Sequence, residues 1–290
     1  RDVERSRGLG DVYKRQVLLV TLPVVTVGAD NAASGKQKKE KTTESALGVK
    51  PVTGSWINLA YKDVRNKYTN PQSFDNMDPK LWEAKVRELS AMGIEYLVFM
   101  EVANEGKSYY PSQIMPWWYN KDKKSPVDAI LDEAAKHNMK IFMSSGWAKD
   151  QDDNLLDPAI KERQLQIMEE LASLYKNHKA FYGWYLPVED CLCPIFAEHA
   201  VQSVNTLSEK AKKLTPGKKT LISPYGIGLS EFDNPEYEKQ MQKLKVDIIA
   251  YQDEVGCVRD QFTLPRLKKN WQRLRDIHNL SLIHISEPTR

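Results

Sequence analysis

Carboxylates and aromatic rings recur where short apolar runs of this chain come to an end: Trp56 and Asn58, Glu101, Trp147, Tyr185 with Glu189, Tyr225, then Gln252, Asp253 and Glu254. That mixture suits a sugar, because aromatic faces stack on the apolar faces of pyranose rings while carboxylates accept hydroxyl hydrogens or move protons. Glycoside hydrolysis asks for one carboxylic acid to protonate the departing oxygen and a second carboxylate to attack or to activate water. Glu189 is the candidate acid/base, and Trp184, Tyr185 and Pro187 are expected to give it partly apolar surroundings that tune its proton affinity. The competing reading is a carboxylate paired with a nearby Lys or Arg. Glu101, Asp253 and Glu254 read as hydroxyl-binding or loop-capping groups. Trp117 and Trp118 read either as a sugar platform or as the pin that holds a long loop to the domain.

Other chemistries find little footing. No G-x-S-x-G elbow offers a serine nucleophile, and neither the 217–220 nor the 226–228 stretch completes a phosphate or dinucleotide loop. His137, His178, His199, His278 and His284 lack metal-site spacing and read as surface or helix-end residues. A single C-x-C at Cys191 and Cys193 does not define a zinc site; in an exported protein a bridge from Cys257 to one of them is possible. No cofactor, metal or nucleotide is therefore expected. Residues 54–280 carry 31 Lys+Arg against 32 Asp+Glu, so the formal charge of +3 over the whole chain comes from the N-terminal segment. A near-neutral body without a basic stripe argues against nucleic-acid binding.

The elements that must position these residues alternate. Short β-branched or aromatic runs at 55–59, 95–102, 140–144, 181–186, 220–223 and 246–251 are separated by longer stretches of helical period, the mark of βα units. Asp78, Ser125, Asp157 and Asn234 each precede a proline, placing a capping side chain before the residue best suited to the first helical position. Cys193-Pro194 is a weaker fifth case. Trp82, Val86 and Leu89 repeat at helical spacing, as do Ile160, Ile167, Leu171 and Leu174, and Gly93 and Gly217 are placed to close helices. Six such units at just under 40 residues each extrapolate to a (β/α)8 TIM barrel truncated after about six βα units. In that fold the loops after the strands build the active site, where the carboxylates and rings fall.

The ends of the chain are read separately. Residues 1–16 and 281–290 resemble translated sequencing-adapter read-through and are set outside the fold, with the natural chain expected to continue past about residue 279. Residues 17–29 form an apolar run too short for a bilayer, which needs about 20 residues, and read as a signal-peptide remnant. Residues 30–53 read as a linker, and the domain as 54–280. The expectation is an exported protein, periplasmic or secreted, with no stable membrane span.

GSWINLAY (54–61), Trp82-Glu83 with AMGIEYLVFM (91–100), YYPS (109–112), FYGWYLPVED (181–190) and DIIAYQDEVG (247–256) together resemble a glycoside-hydrolase-like TIM-barrel family, domain of unknown function 4434. The resemblance implies an exported barrel enzyme related to retaining glycosidases, with the acid/base at the end of the fourth strand and the nucleophile at the end of the seventh. Glu189 matches the first position, and the second carboxylate is expected to lie beyond the truncation. An oligosaccharide or polysaccharide is the implied substrate. The alternative is a non-catalytic glycan-binding TIM barrel that keeps the aromatic rim.

Overall fold

The computed structural model describes residues 52–59, 77–150, 153–253 and 262–277, together with the backbone of Ser281–Ile285. Seven parallel strands form one sheet in the order β1 (Gly54–Ile57), β2 (Tyr96–Phe99), β5 (Lys140–Ser144), β6 (Phe181–Tyr185), β7 (Lys219–Ile222), β8 (Ile248–Gln252) and β9 (Ser281–Ile285). Two further short strands, β3 (Ala103–Asn104) and β4 (Lys107–Ser108), make an antiparallel hairpin in the loop after β2. The sequential order of parallel neighbours is that of a (β/α) barrel, in which each strand is followed by a covering helix. Among the described residues β1 and β9 are the sheet's two edges.

Ser281–Ile285, set outside the fold on sequence grounds, pairs in parallel with β8 from Ile248↔Ser281 to Gln252↔Ile285. Its SLIHI sequence is rich in β-formers, and β8 offers it an open row of backbone donors and acceptors.

The helices are α1 (Pro79–Ala91), α2 (Pro126–Lys136), α3 (Pro158–Tyr175), α4 (Glu198–Leu214), α5 (Pro235–Lys243) and α6 (Leu264–Ile277). All four expected Asx/Ser-Pro starts are realised: the side chains of Asp78, Ser125, Asp157 and Asn234 accept from the backbone N–H groups of the first turn. The fifth is not. Cys193-Pro194 lies in a loop, and α4 begins at Glu198 without a side-chain cap. Gly93 and Gly217 do follow helix ends with φ of 89° and 87°.

Helix α3 corrects one detail of the apolar stripe. Leu174 is 48% exposed while Tyr175 is buried, because the inward face runs through Gln164, Met168, Leu171 and Tyr175 at spacings of three and four.

Two apolar clusters divide the interior. The larger joins the helices to the outer faces of the strands, and the smaller collects Val98, Phe142, Tyr185, Leu221 and Ala250 from five adjacent strands, with Trp56, Met100 and Tyr182 at its margin. The smaller cluster is the barrel lumen. Register shifts between β5 and β6, where Phe142 pairs with Gly183 rather than Tyr182. A Cβ on Gly183 would lie 2.6 Å from the Lys219 carbonyl and 2.8 Å from the Phe142 ring, so only glycine fits the bulge. This shift brings Tyr185 into the lumen. Trp184 points the other way, its indole N–H donating to Thr215 Oγ1 at 2.8 Å behind the sheet, so it is not part of the surroundings of Glu189.

Candidate functional site

The residue at the centre of the site is Tyr185, the last of β6. Its side chain is fully buried in the lumen, its ring meets Trp56 of β1 edge-on at 6.2 Å, and its hydroxyl donates to Glu189 Oε1 at 2.7 Å. Burial, reinforced by the Glu189 and Glu101 carboxylates, holds the phenol far above the ordinary tyrosine range. The group therefore stays protonated and acts as a permanent donor. Glu189 sits four residues on, in the loop leaving β6, and is exposed. A rigid strand-borne donor thus fixes one oxygen of an accessible carboxylate at the C-terminal mouth of the barrel.

Glu101 lies just after β2 and is 1% exposed. Its Oε1 accepts from the Leu59 N–H at 3.1 Å, and the Asn58 amide, with its nitrogen turned to the carboxylate, donates to both oxygens. The two strand ends β1 and β2 are thereby tied at the mouth. Gln252, ending β8, donates to the Ser223 carbonyl at 2.9 Å and so ties β8 to the end of β7. Asp253 is buried and Tyr225 is half-buried beside them. Glu254 and Cys257 lie outside the described residues.

The loop after β6 is braced from several sides. Cys191 and Cys193 form a disulfide with each other, so neither is left for the bridge to Cys257 that the sequence allowed. The pair packs on Gly226, φ 88°, where a Cβ would stand 2.8 Å from Cys191 Sγ. Asp190 accepts from the Cys191 N–H at 2.7 Å and pairs with His199 Nε2 at 2.9 Å. Leu192 N–H donates to the Tyr225 carbonyl at 2.8 Å.

Beside Glu189, between α3 and α4, opens a cleft of about 240 Å³. Trp147, Pro187 and Glu189 form part of its wall, together with Asp153, Gln164, Asp190, His199 and Ser203. Trp147 is buried, with its indole N–H on the Pro187 carbonyl at 3.4 Å. Burial raises the Asp153 carboxyl above its usual range. Three of these residues, Asp153, Gln164 and Ser203, escaped the sequence reading, and His199 was read there as a surface or helix-end residue. Gln164 left a signal, a polar residue on the apolar stripe of α3; His199 left none that separates it from a helix-end histidine.

Trp117 and Trp118 do not line this cleft. Trp118 stacks on the buried Tyr109 at 6.2 Å and donates to the Asn104 carbonyl at 3.1 Å, while Trp117 stacks on Tyr119 at 5.1 Å and donates to the Ser112 carbonyl at 2.7 Å. The same loop is clamped by Glu170 of α3, which accepts from Tyr110 Oη, Ser112 Oγ and the Gln113 N–H at 2.6–2.9 Å. These contacts are those of a pin between loop and barrel.

Among the described residues no three His, Cys, Asp or Glu side chains are grouped as a metal site, and no helix is long and apolar enough to cross a membrane.

A parallel (β/α) barrel with carboxylates and aromatic rings gathered at the C-terminal ends of its strands is the architecture of the glycoside-hydrolase-like barrels. A family model described as "Domain of unknown function (DUF4434)" matches residues 52–285, and the chain belongs to that family. "Glycosyl hydrolase DigH" of Escherichia coli (strain K12) is 24% identical over 196 residues, which cover 60% of this chain and 43% of that protein. Its namesake from Escherichia coli O6:H1 is 26% identical over 156 residues, covering 49% and 34% respectively. The matched stretch is thus less than half the length of these curated relatives. Among solved structures, a Bacteroides thetaiotaomicron VPI-5482 protein described as a "putative alpha-L-fucosidase" superposes with a TM-score of 0.57 at 16% identity, over 89% of this chain and 91% of that one. That likeness concerns the fold.

Proposed function

We propose that this protein is an exported carbohydrate-active enzyme that hydrolyses an O-glycosyl bond, with Glu189 as general acid/base. The observation that carries the reading is the Tyr185–Glu189 pair: an exposed carboxylate at the C-terminal mouth of a barrel, held by a buried phenol at 2.7 Å. Catalytic groups need this combination of access and fixed geometry. In the proposed reaction Glu189 protonates the oxygen of the departing sugar as the glycosidic bond breaks, and a second carboxylate attacks the anomeric carbon or activates water. The kinship with proteins named glycosyl hydrolases supports the reaction class. Export is supported by the short apolar run at 17–29.

The test is Glu189→Gln, which keeps size and polarity while removing the proton that the acid must deliver. Release of reducing ends from a panel of bacterial and plant glycans should fall by orders of magnitude in the variant, with glycan affinity largely retained. Turnover equal to wild type would remove Glu189 from the mechanism. The second reading, a glycan-binding barrel, draws on the engagement of Glu101 by Leu59 and Asn58, which makes it a structural group. Saccharide binding without release of reducing ends by the wild type would favour it.

A further inference from the structure

The cleft between α3 and α4 has a wall rich in hydrogen-bond acceptors, and that restricts what can enter. Asp153, Glu189 and Asp190 contribute three carboxylates, and His199 is the one basic side chain among the residues lining it. Asp190 is already occupied by the Cys191 N–H and by His199. Gln164 is 1% exposed and fixed beside the cleft by its amide nitrogen, which donates to the Ser145 carbonyl and hydroxyl at 3.1 Å and to the Gly146 carbonyl. At about 240 Å³ the cleft is below the roughly 300–1,000 Å³ of pockets that hold drug-sized ligands, which leaves room for one sugar ring. Trp147 supplies an apolar wall fixed through Pro187.

We infer that this cleft is a one-ring subsite, adjoining Glu189, for a neutral sugar that donates its hydroxyls, and that it rejects uronate and sulfated rings. The inference rests on the reading of Glu189 as the centre of a carbohydrate site and names the substrate class for it. Neutral hydroxyls donate to the carboxylate oxygens of the cleft wall. An anionic ring would set a like charge against the Asp153 and Asp190 carboxylates in a partly desolvated space, which makes it bind at least about tenfold more weakly.

The imidazole of His199, on the cleft wall, is the reporter. Its ¹H–¹³C signal in the full chain, assigned with His199→Gln, is followed during titration to tens of millimolar with the methyl glycosides of glucose, galactose, mannose, xylose and N-acetylglucosamine. Glucuronate and galacturonate serve as the anionic probes. At least one neutral glycoside should shift the signal saturably, with the uronates at least tenfold weaker. Ser203→Trp, which fills the cleft, should abolish the shift. Asn154→Trp, at an exposed rim position, should weaken it tenfold or more if the first variant does not fold. Absence of saturation with every neutral glycoside, an unchanged shift in Asn154→Trp, or equal affinity for a uronate would overturn the inference. Saturation at His199 without release of reducing ends from any glycan would sink the hydrolase reading and leave the subsite standing. Hydrolysis without any response at His199 would do the reverse.

Discussion

Glu133 offers a prediction that depends on no substrate. This residue of α2 is buried, yet its carboxylate meets Lys136 at 2.7 Å, Arg87 of α1 at 3.1 Å and His137 at 3.3 Å. The hydrogen bond from Lys136, then that from Arg87, outweigh the burial and pull its pKa from 4.5 down to about 2. A shift of that size corresponds to about 3 kcal/mol if all of it were realised. The partners are half exposed, at 64% for Lys136 and 49% for Arg87, and solvent screening reduces the figure to about 1–2 kcal/mol. The folded state binds the proton less readily than the unfolded chain, so the contribution is full above pH 4.5 and fades as the pH falls toward 2. Glu133→Gln should therefore lower stability at pH 7 by about 1–2 kcal/mol, and the gap to wild type should shrink by more than half at pH 3. Equilibrium urea unfolding of both proteins at the two pH values measures this. A gap that stays constant with pH, or one below 0.5 kcal/mol at pH 7, would refute the account of Glu133 as a charged clamp between α1 and α2.

Three further substitutions probe the site and its supports. Tyr185→Phe removes the donor to Glu189 and keeps the ring in the lumen; a hydrogen bond to a charged group contributes about 1.5–3 kcal/mol, so kcat on a cleaved glycan should fall roughly tenfold to a hundredfold with KM little changed. An unaltered kcat would show that the phenol does not position the carboxylate. Gly183→Ala forces a Cβ against the Lys219 carbonyl and the Phe142 ring, and should cost about 1–3 kcal/mol in denaturant unfolding; a change within 0.5 kcal/mol would mean that the bulge yields easily. Trp118→Ala should speed limited proteolysis within the loop after β2 while leaving glycan affinity within about twofold, since its indole is engaged by Tyr109 and Asn104. A loss of affinity without a change in proteolysis would return Trp118 to the sugar-binding surface.

What was legible in the amino-acid sequence is what depends on a few neighbouring residues. An Asx or Ser side chain before proline caps the first turn with groups already adjacent in the chain, so four helix starts could be read directly. Alternating β-rich and helical stretches determine a parallel sheet in sequential order, because short connections and the handedness of βα units leave few other arrangements. The placement of Trp56, Asn58, Glu101, Tyr185 and Gln252 at strand ends follows from that order. Contacts across the chain were decided only by the tertiary structure. The bulge at Gly183 turned Tyr185 into the lumen and left Trp184 behind the sheet, a one-residue shift that no local propensity reports. Glu101 and Asn58 are 43 positions apart in sequence and meet only because β1 and β2 pair in register. The clamp of Glu170 on the loop after β2 and the buried Gln164 amide likewise depend on which loops and helices the tertiary packing brings together. Local chemistry sets the elements; the register between strands sets which of their side chains share a space.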